Sequence, residues 1–231
     1  MKNIVILGAT SAISLAVIER LSIKYPKATF HLFARNKTKL DASTCKYQFD
    51  FKPYIYDLSD MSLHPQILSE LQATPIDLCL IAYGILKSDQ NELEIINTNF
   101  TSAVSLINLL KDKINENGRI AVITSVAGDR GRSDNYLYGA SKGALSIYLS
   151  GLRAQLYAKN IFVIDIKAGP IDSPMTSHLK KSIYFSTTSK VAKDIVQAID
   201  KKSDVIYSPY YWRYIMCFIK MLPEFIFKRL F

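Results

Sequence analysis

The sequence predicts an α/β fold, a single doubly wound parallel sheet of about seven strands with helices on both faces, followed by an apolar C-terminal tail. Short β-branched or apolar runs alternate along the chain with stretches of helical periodicity, the pattern of βαβ units. The chain has 231 residues, of which 49% are hydrophobic. It is therefore long enough to bury the core of one domain.

Four strands and two helices are predicted in the N-terminal half. The strand segments are residues 4–7 (IVIL), 29–34 (TFHLFA), 53–58 (PYIYDL) and 77–83 (DLCLIAY). Residues 11–25 and 63–74 have the length and periodicity of crossover helices. Strands joined by such crossovers lie parallel.

Three more strands and three helices are predicted in the C-terminal half. The strand segments are residues 119–125 (RIAVITS), 162–168 (FVIDIKA) and 204–209 (DVIYSP). The helical segments are residues 92–115, 138–159 and 189–201. The complete alternation is typical of a Rossmann-type sheet, in which ligands bind beyond the carboxyl ends of the strands. We expect residues 1–209 to form one domain and residues 210–231 a separate C-terminal segment.

Composition narrows the class of protein. The net charge is +9, but the basic residues form only pairs, so no nucleic-acid partner is predicted. The three cysteines form no CxxC pair, which argues against a disulfide framework and a metal site. Met1-Lys2-Asn3 runs directly into the first strand without the apolar stretch of a signal peptide, so a cytoplasmic location is expected.

The turn after the first strand could hold a phosphate. Gly8 allows a tight turn, and the hydroxyls of Thr10 and Ser11 can donate to a phosphate or cap the next helix. The N-terminus of that helix would offer free N–H groups and a favourable dipole to a pyrophosphate. An ordinary strand-to-helix connection is the alternative, since a single glycine is a weak signal.

A tyrosine and a lysine stand four residues apart in a helical segment. Tyr138 and Lys142 share one helix face, and a nearby ammonium lowers the pKa of a phenol towards neutrality. Ser125 lies 13 residues before Tyr138, at the end of a strand. A second Tyr-x-x-x-Lys match, Tyr83 and Lys87, has no such serine. Acid–base chemistry is therefore predicted at Tyr138.

The sequence resembles the short-chain dehydrogenase/reductase family over roughly residues 4–176. The residues that carry the resemblance are Ser125 in VITSVAG and Tyr138 and Lys142 in YGASKGAL. The resemblance implies that Tyr138 is the general acid in ketone reduction and that Ser125 binds the substrate oxygen. Lys142 would lower the pKa of Tyr138 and hold the nicotinamide ribose. Asn99, in INTNFTSA, would belong to a proton relay; the alternative for Asn99 is a helix-surface amide.

The same resemblance implies that residues 1–209 are a dinucleotide-binding catalytic domain with a set of cofactor-binding residues. In this set, Asp57 and Leu58 would contact adenine, while the Ile171 backbone and the Ser173 hydroxyl would receive the nicotinamide carboxamide. The whole set is Gly8, Thr10, Ser11, Ala12, Ile13, Arg35, Asp57, Leu58, Ala82, Gly84, Tyr138, Lys142, Ile171 and Ser173.

The sequence departs from the family pattern in three places. Ala12 and Ser14 stand where the family has glycines, Ile81-Ala82-Tyr83-Gly84 replaces Asn-Asn-Ala-Gly, and Ala168-Gly169 replaces Pro-Gly. We expect that Ala12 and Ser14 still permit binding at the first turn. Loss of the asparagine near position 82 is expected to remove a bond that steadies the central strand.

The end of the second strand predicts which nicotinamide nucleotide binds. An acid there would accept the adenosine ribose hydroxyls, but Ala34-Arg35-Asn36 contains none. Arg35 could pair with a 2′-phosphate and stack on adenine. NADP(H) is therefore the expected cofactor, with NAD(H) as the alternative.

The C-terminal segment, 210–231, has 16 apolar or aromatic residues among 22 but no apolar run of bilayer-spanning length. Pro223 is compatible with the first turn of a second short helix. Four basic residues could face anionic headgroups, which predicts peripheral contact with the inner face of a membrane. Packing on the core or on a second subunit is the alternative. The basic residues are Arg213, Lys220, Lys228 and Arg229.

The predicted function is NADP(H)-dependent carbonyl reduction or alcohol oxidation of a small-molecule or lipid-linked substrate. The start of the tail loosely resembles the decaprenylphosphoryl keto-sugar reductases, which implies a keto-sugar on a polyprenyl carrier or in cell-surface glycan synthesis. The alternative is a non-catalytic nucleotide-binding sensor or scaffold. The family implies a homodimer or homotetramer formed through helices near 100 and 145. Specificity is expected in residues 174–188 and in the tail.

Overall fold

A computed structural model describes residues 1–45, 47–88, 91–177 and 181–230. Within these ranges, seven parallel strands form one sheet in the order β3-β2-β1-β4-β5-β6-β9, and a two-stranded pair, β7 and β8, lies apart. The strands are β1 (Asn3–Leu7), β2 (Thr29–Ala34), β3 (Phe51–Ile55), β4 (Ile76–Ile81), β5 (Ile114–Ser125), β6 (Phe162–Ala168), β7 (Ile171–Asp172), β8 (Ser186–Thr187) and β9 (Val205–Ser208). The strand order reverses between β1 and β4, where a ligand crevice is expected.

Helices cover both faces of the sheet, as predicted. On one face α1 and α7 bury Val17 and Ile195, and on the other α3, α5 and α6 bury Ile67, Leu106 and Leu149. The helices are α1 (Ala12–Lys24), α2 (Lys37–Thr44), α3 (His64–Glu70), α4 (Leu93–Ile96), α5 (Ser102–Leu110), α6 (Tyr136–Leu156), α7 (Thr188–Lys201), α8 (Trp212–Met221) and α9 (Glu224–Leu230). The doubly wound α/β prediction is therefore confirmed.

The helix predicted over residues 92–115 differs from the structure. It is interrupted by one π-helical turn, Asn97–Thr101, and ends at Leu110. Residues from Ile114 onward join β5 instead, where Ile114 pairs with Ile76 and is buried. Burial of this strand pair prevails over the local helical pattern.

Helix α2 was not predicted from the sequence, and β3 ends three residues before the end of the predicted strand 53–58. Helix α2 buries only Leu40 and Thr44, so it has little hydrophobic periodicity, and it begins at a cap in which Asn36 Oδ1 accepts from the Lys39 amide at 2.8 Å. Strand β3 ends at Ile55, so Asp57 and Leu58 lie in the following loop. Pro53 is tolerated in β3 because this strand is at the edge of the sheet.

The C-terminal residues form the two short helices α8 and α9, with Pro223 immediately before the second. Trp212, Met216, Ile219 and Phe227 are buried and pack around Val126, which follows β5. In the part of the chain that the structure describes, no helix is long and apolar enough to span a bilayer. The division at residue 209 stays a prediction, and Phe231 lies outside the described residues.

Candidate active site

The carboxyl ends of the central strands open into a cavity of about 300 Å³ that is lined by three of the four predicted catalytic residues, Ser125, Tyr138 and Lys142, but not by Asn99. A second cavity of about 220 Å³ shares part of its wall. The predicted residues that line the first are Thr10, Ser11, Ala12, Ile13, Ala82, Gly84, Ser125, Tyr138, Lys142, Ile171 and Ser173. Those that line the second are Gly8, Thr10, Ser11, Arg35, Asp57, Leu58, Ala82 and Gly84. One continuous crevice thus joins the residues predicted for the two ends of a dinucleotide.

Ser125 is the last residue of β5 and Tyr138 lies in the first turn of α6. The Ser125 hydroxyl oxygen accepts from the Ala127 amide at 3.1 Å, which fixes the turn after the strand. Burial raises the pKa of Tyr138, and a hydrogen bond with the Ser125 side chain acts in the opposite direction. The phenol is therefore held as a protonated acid in contact with the serine.

Lys142 is buried at the floor of the cavity, with 4% of its surface exposed. Its Nζ donates to the Ile123 carbonyl at 3.0 Å. Burial lowers the pKa of Lys142 to about 8, while the negative charge of Asp165 acts to raise it. The ammonium group therefore changes charge within the range in which enzymes work.

Direct backbone contacts hold Ser125 against the helix that carries Tyr138 and Lys142. A Cβ on Gly143 would lie 2.7 Å from the Gly128 carbonyl oxygen, and a Cβ on Gly139 would lie 2.8 Å from that of Ala127. Any larger residue would separate the turn after β5 from α6. These glycines set the distance between the serine and the tyrosine.

Asn99 is 1% exposed, so the surface-amide alternative is wrong. Its Oδ1 accepts from the Ile85 amide and its Nδ2 donates to the Ile85 carbonyl, both at 2.8 Å. Nδ2 also donates to Ser141 Oγ at 3.2 Å. The π-helical turn thus aims Asn99 inward, where it ties the segment after β4 to α6. Its part in a proton relay stays a prediction.

The turn after β1 has the geometry that its glycine predicts. Gly8 has φ +90°, and a Cβ there would lie 2.8 Å from the Cβ of Tyr83. Ser11 caps α1 by accepting from the Ser14 amide at 3.1 Å. The Ser14 hydroxyl, fully buried, donates to the Gly8 carbonyl at 2.9 Å. Ser14, which replaces a family glycine, therefore stabilises the turn through a buried hydrogen bond, and it does not line the crevice.

The second departure includes Tyr83. The Tyr83 hydroxyl lies 2.7 Å from Ser102 Oγ, and this hydrogen bond ties the end of β4 to α5. Loss of the bond made by the family asparagine stays a prediction. Tyr83 follows a strand and Lys87 is exposed, so their Tyr-x-x-x-Lys spacing does not place the two groups on one helix face.

Cationic groups lie at the far end of the crevice. The Arg35 side chain is 69% exposed and its guanidinium lies 4.0 Å from the Asp57 carboxylate. Lys39, from α2, lines both cavities and was missed from the sequence. The cap formed by Asn36 was the available signal, because it places Lys39 in the first turn of a helix beside Arg35.

Two polar residues in the catalytic cavity were also missed. Arg132 and Asn135 line it together with Leu86 and Met175. Burial lowers the pKa of Arg132. Asn135 Oδ1 is buried and accepts no hydrogen bond from the described part of the chain. Their position between Ser125 and Tyr138 could have indicated them, because that loop joins two catalytic elements.

Of residues 174–188, predicted to set specificity, 178–180 lie outside the described residues.

Comparisons with known proteins agree with this geometry. The family model described as short chain dehydrogenase matches residues 2–183. An uncharacterized oxidoreductase of Mycobacterium tuberculosis is 28% identical over 98% of this chain and 96% of its own length. One from Streptomyces coelicolor is 27% identical over 99% and 96%. The crystal structure of a short chain dehydrogenase from Burkholderia cenocepacia in complex with NADP superposes with a TM-score of 0.84 at 17% identity, covering 100% of this chain and 99% of that one.

Proposed function

The chain belongs to the short-chain dehydrogenase family and is an NAD(P)-dependent oxidoreductase, and we propose that it reduces a carbonyl compound with NADPH. The observation that carries the proposal is the single crevice that joins Ser125, Tyr138 and Lys142 to the cations Arg35 and Lys39. The intact Ser125, Tyr138 and Lys142 argue against a non-catalytic sensor.

The residues present fit a nicotinamide dinucleotide. The Gly8 turn leaves no room for a side chain, and the loop before α1 lines both cavities at Thr10 and Ser11. The first turn of α1 lines the catalytic cavity at Ala12 and Ile13, where the N–H groups at the start of the helix and its dipole suit a pyrophosphate. When bound, the reduced cofactor supplies a hydride to the carbonyl carbon. Ile171 and Ser173 line the cavity where the carboxamide would lie.

The protein's own groups handle the proton and the oxygen. The Ser125 hydroxyl donates to the carbonyl oxygen of the substrate and orients it. Tyr138 transfers its phenolic proton to that oxygen as the hydride arrives, so that the products are the alcohol and the oxidised cofactor. The Lys142 ammonium stabilises the resulting phenolate and holds the ribose hydroxyls.

Preference for NADPH is supported by charge at the adenosine end. Arg35 and Lys39 line this end, and β2 ends without an acid. A guanidinium makes charge-assisted hydrogen bonds to a phosphate, whereas an acid in this place would repel it. The structural relative from Burkholderia cenocepacia was solved with NADP, which agrees with this assignment.

The substrate class that the cavity favours is a polar carbonyl compound such as a keto-sugar. Asn135 Oδ1 is a buried acceptor, and Arg132, which also lines the cavity, adds donors. Hydroxyl groups of a sugar would satisfy the acceptor, because a buried polar group without a partner is costly. A polyprenyl carrier would require apolar contacts outside the cavity, at the C-terminal helices.

A fluorescence titration tests the proposal. Trp212 packs against Gly169, which lines the catalytic cavity, so its emission should report binding of the reduced nicotinamide. We expect NADPH to bind at least about tenfold more tightly than NADH, the equivalent of roughly 1.4 kcal/mol. Equal affinities would contradict the NADPH preference. Binding of neither nucleotide would overturn the proposed function.

A further inference from the structure

The C-terminal segment exposes an apolar stripe, part of which borders a groove of about 880 Å³ beside α7 and β9. The stripe consists of Tyr210, Tyr214, Phe218, Met221 and Phe225, each more than 60% exposed. Residues 214, 218 and 221 follow one another at helical spacing on one side of α8. Contiguous exposed apolar surface of this kind marks a contact site.

The stripe is not the packing face of the helices. The opposite side of α8 carries Trp212, Met216 and Ile219, which are buried against the domain. Arg130 fixes the junction between α8 and α9, because its Nη1 donates to the Leu222 carbonyl at 2.7 Å and its Nη2 bonds Glu224 at 3.0 Å. The helices are therefore held in one orientation with the stripe outward.

Positive charge borders the stripe. The tail contains one acid, Glu224, and it forms an ion pair with Arg130. Four exposed basic residues lie in the same segment as the apolar side chains, and two of them, Arg213 and Lys220, line a groove that also contains Asp194 and Asp204. The four basic residues are Arg213, Lys220, Lys228 and Arg229. Aromatic side chains beside lysine and arginine suit the interface of a bilayer that contains anionic lipid.

We propose that the outer face of α8 and α9 binds the surface of an anionic phospholipid bilayer. A second copy of the chain suits this face poorly, because a twofold contact would bring the same basic residues of both copies together. The family model ends at residue 183, before these helices.

The helices that carry this surface lie next to the active site. Trp212, on the inner side of α8, contacts Gly169 and packs with Val126, and both of these residues line the catalytic cavity. A bilayer bound to the outer side therefore lies beside the active site, where a carbonyl compound borne on a lipid would be presented. This last step rests on the proposed reductase activity, whereas binding to the bilayer does not.

Vesicle co-sedimentation of the whole protein tests the surface. We expect binding to vesicles of phosphatidylcholine with phosphatidylglycerol, weaker binding to phosphatidylcholine alone, and release at high salt. Phe218→Glu/Phe225→Glu should lower the affinity at least about tenfold, because it places charge in the apolar stripe. Tyr157→Glu is the matched control: Tyr157 is 83% exposed but follows α6 at the opposite end of the sheet.

Two results would overturn the proposal. One is failure of the wild-type protein to bind the anionic vesicles. This result would include the case in which sedimentation velocity shows a dimer that is formed through the stripe. The other is unchanged vesicle binding by the double variant. Circular dichroism and NADPH titration of each preparation separate unfolding, or failure of the proposed function, from loss of membrane binding.

Discussion

Asp165 and Lys142 are both buried, and the carboxylate of the first partly offsets the effect of burial on the ammonium of the second. Asp165 lies in β6, where its Oδ1 accepts a hydrogen bond from Thr124 Oγ1. Burial favours the neutral amine, whereas the carboxylate favours the cation. Asp165 is thus a positioning residue that acts through Lys142, because its carboxylate favours the charged form of the lysine.

Asp165→Asn should move the pH dependence of reduction. Without the carboxylate the pKa of Lys142 falls further below about 8, so the cation is lost at lower pH. The alkaline limb of the kcat/KM profile should shift to lower pH, with activity near pH 6 largely retained. A profile recorded with NADPH and a reducible carbonyl compound measures this shift. A uniform loss of activity with no displacement of the limb would indicate a merely structural role.

Lys142→Met should abolish reduction and raise the stability at neutral pH. The pKa of Lys142 falls from 10.5 to about 8 in the folded protein, so folding at pH 7 costs on the order of 3 kcal/mol for this group. Loss of the bond to the Ile123 carbonyl offsets part of the gain. We expect a higher free energy of unfolding in urea at pH 7.

The same variant has a characteristic pH signature. Between pH 8 and 10.5 the unfolded wild-type chain binds more protons at Lys142 than the folded one, so wild-type stability rises with pH in that window. The difference in the free energy of unfolding between Lys142→Met and the wild-type protein should therefore decrease as the pH rises from 8 to 10. Destabilisation at pH 7 would show that the ammonium is a net stabilising group.

Gly143→Ala should impair both folding and catalysis. The added methyl group would lie 2.7 Å from the Gly128 carbonyl oxygen and push the Ser125 turn away from α6. Overpacking of this kind costs about 1–3 kcal/mol. Gly151→Ala is the control in the same helix, because a Cβ there meets nothing within 4 Å, and it should gain roughly 0.5–1 kcal/mol from helix propensity. Thermal unfolding and kcat of both variants provide the test, and equal effects would contradict the packing argument.

The sequence predicted the sheet and the catalytic serine, tyrosine and lysine because both depend on local patterns. Alternating apolar runs define strands, and Tyr138 and Lys142 share a helix face whatever surrounds them. The setting of Asn99 could not be predicted in this way, since it depends on a π-helical turn and on Ile85 from another segment. Asp165 likewise appears in the sequence only as one residue of an apolar strand.

Arg35→Ala should weaken NADPH binding and leave NADH binding nearly unchanged. The guanidinium lines the adenosine end of the crevice beside Lys39, and hydrogen bonds between charged groups contribute about 1.5–3 kcal/mol, or roughly 10- to 100-fold in affinity. Lys39→Met should give a smaller loss, because an ammonium binds phosphate as a point charge without the paired geometry of a guanidinium. Arg20→Ala is the control: Arg20 bonds the exposed Ser189 and lines neither cavity. Parallel loss of NADPH and NADH affinity in Arg35→Ala would show that the arginine stacks on adenine, which both nucleotides share, rather than pairing with the 2′-phosphate.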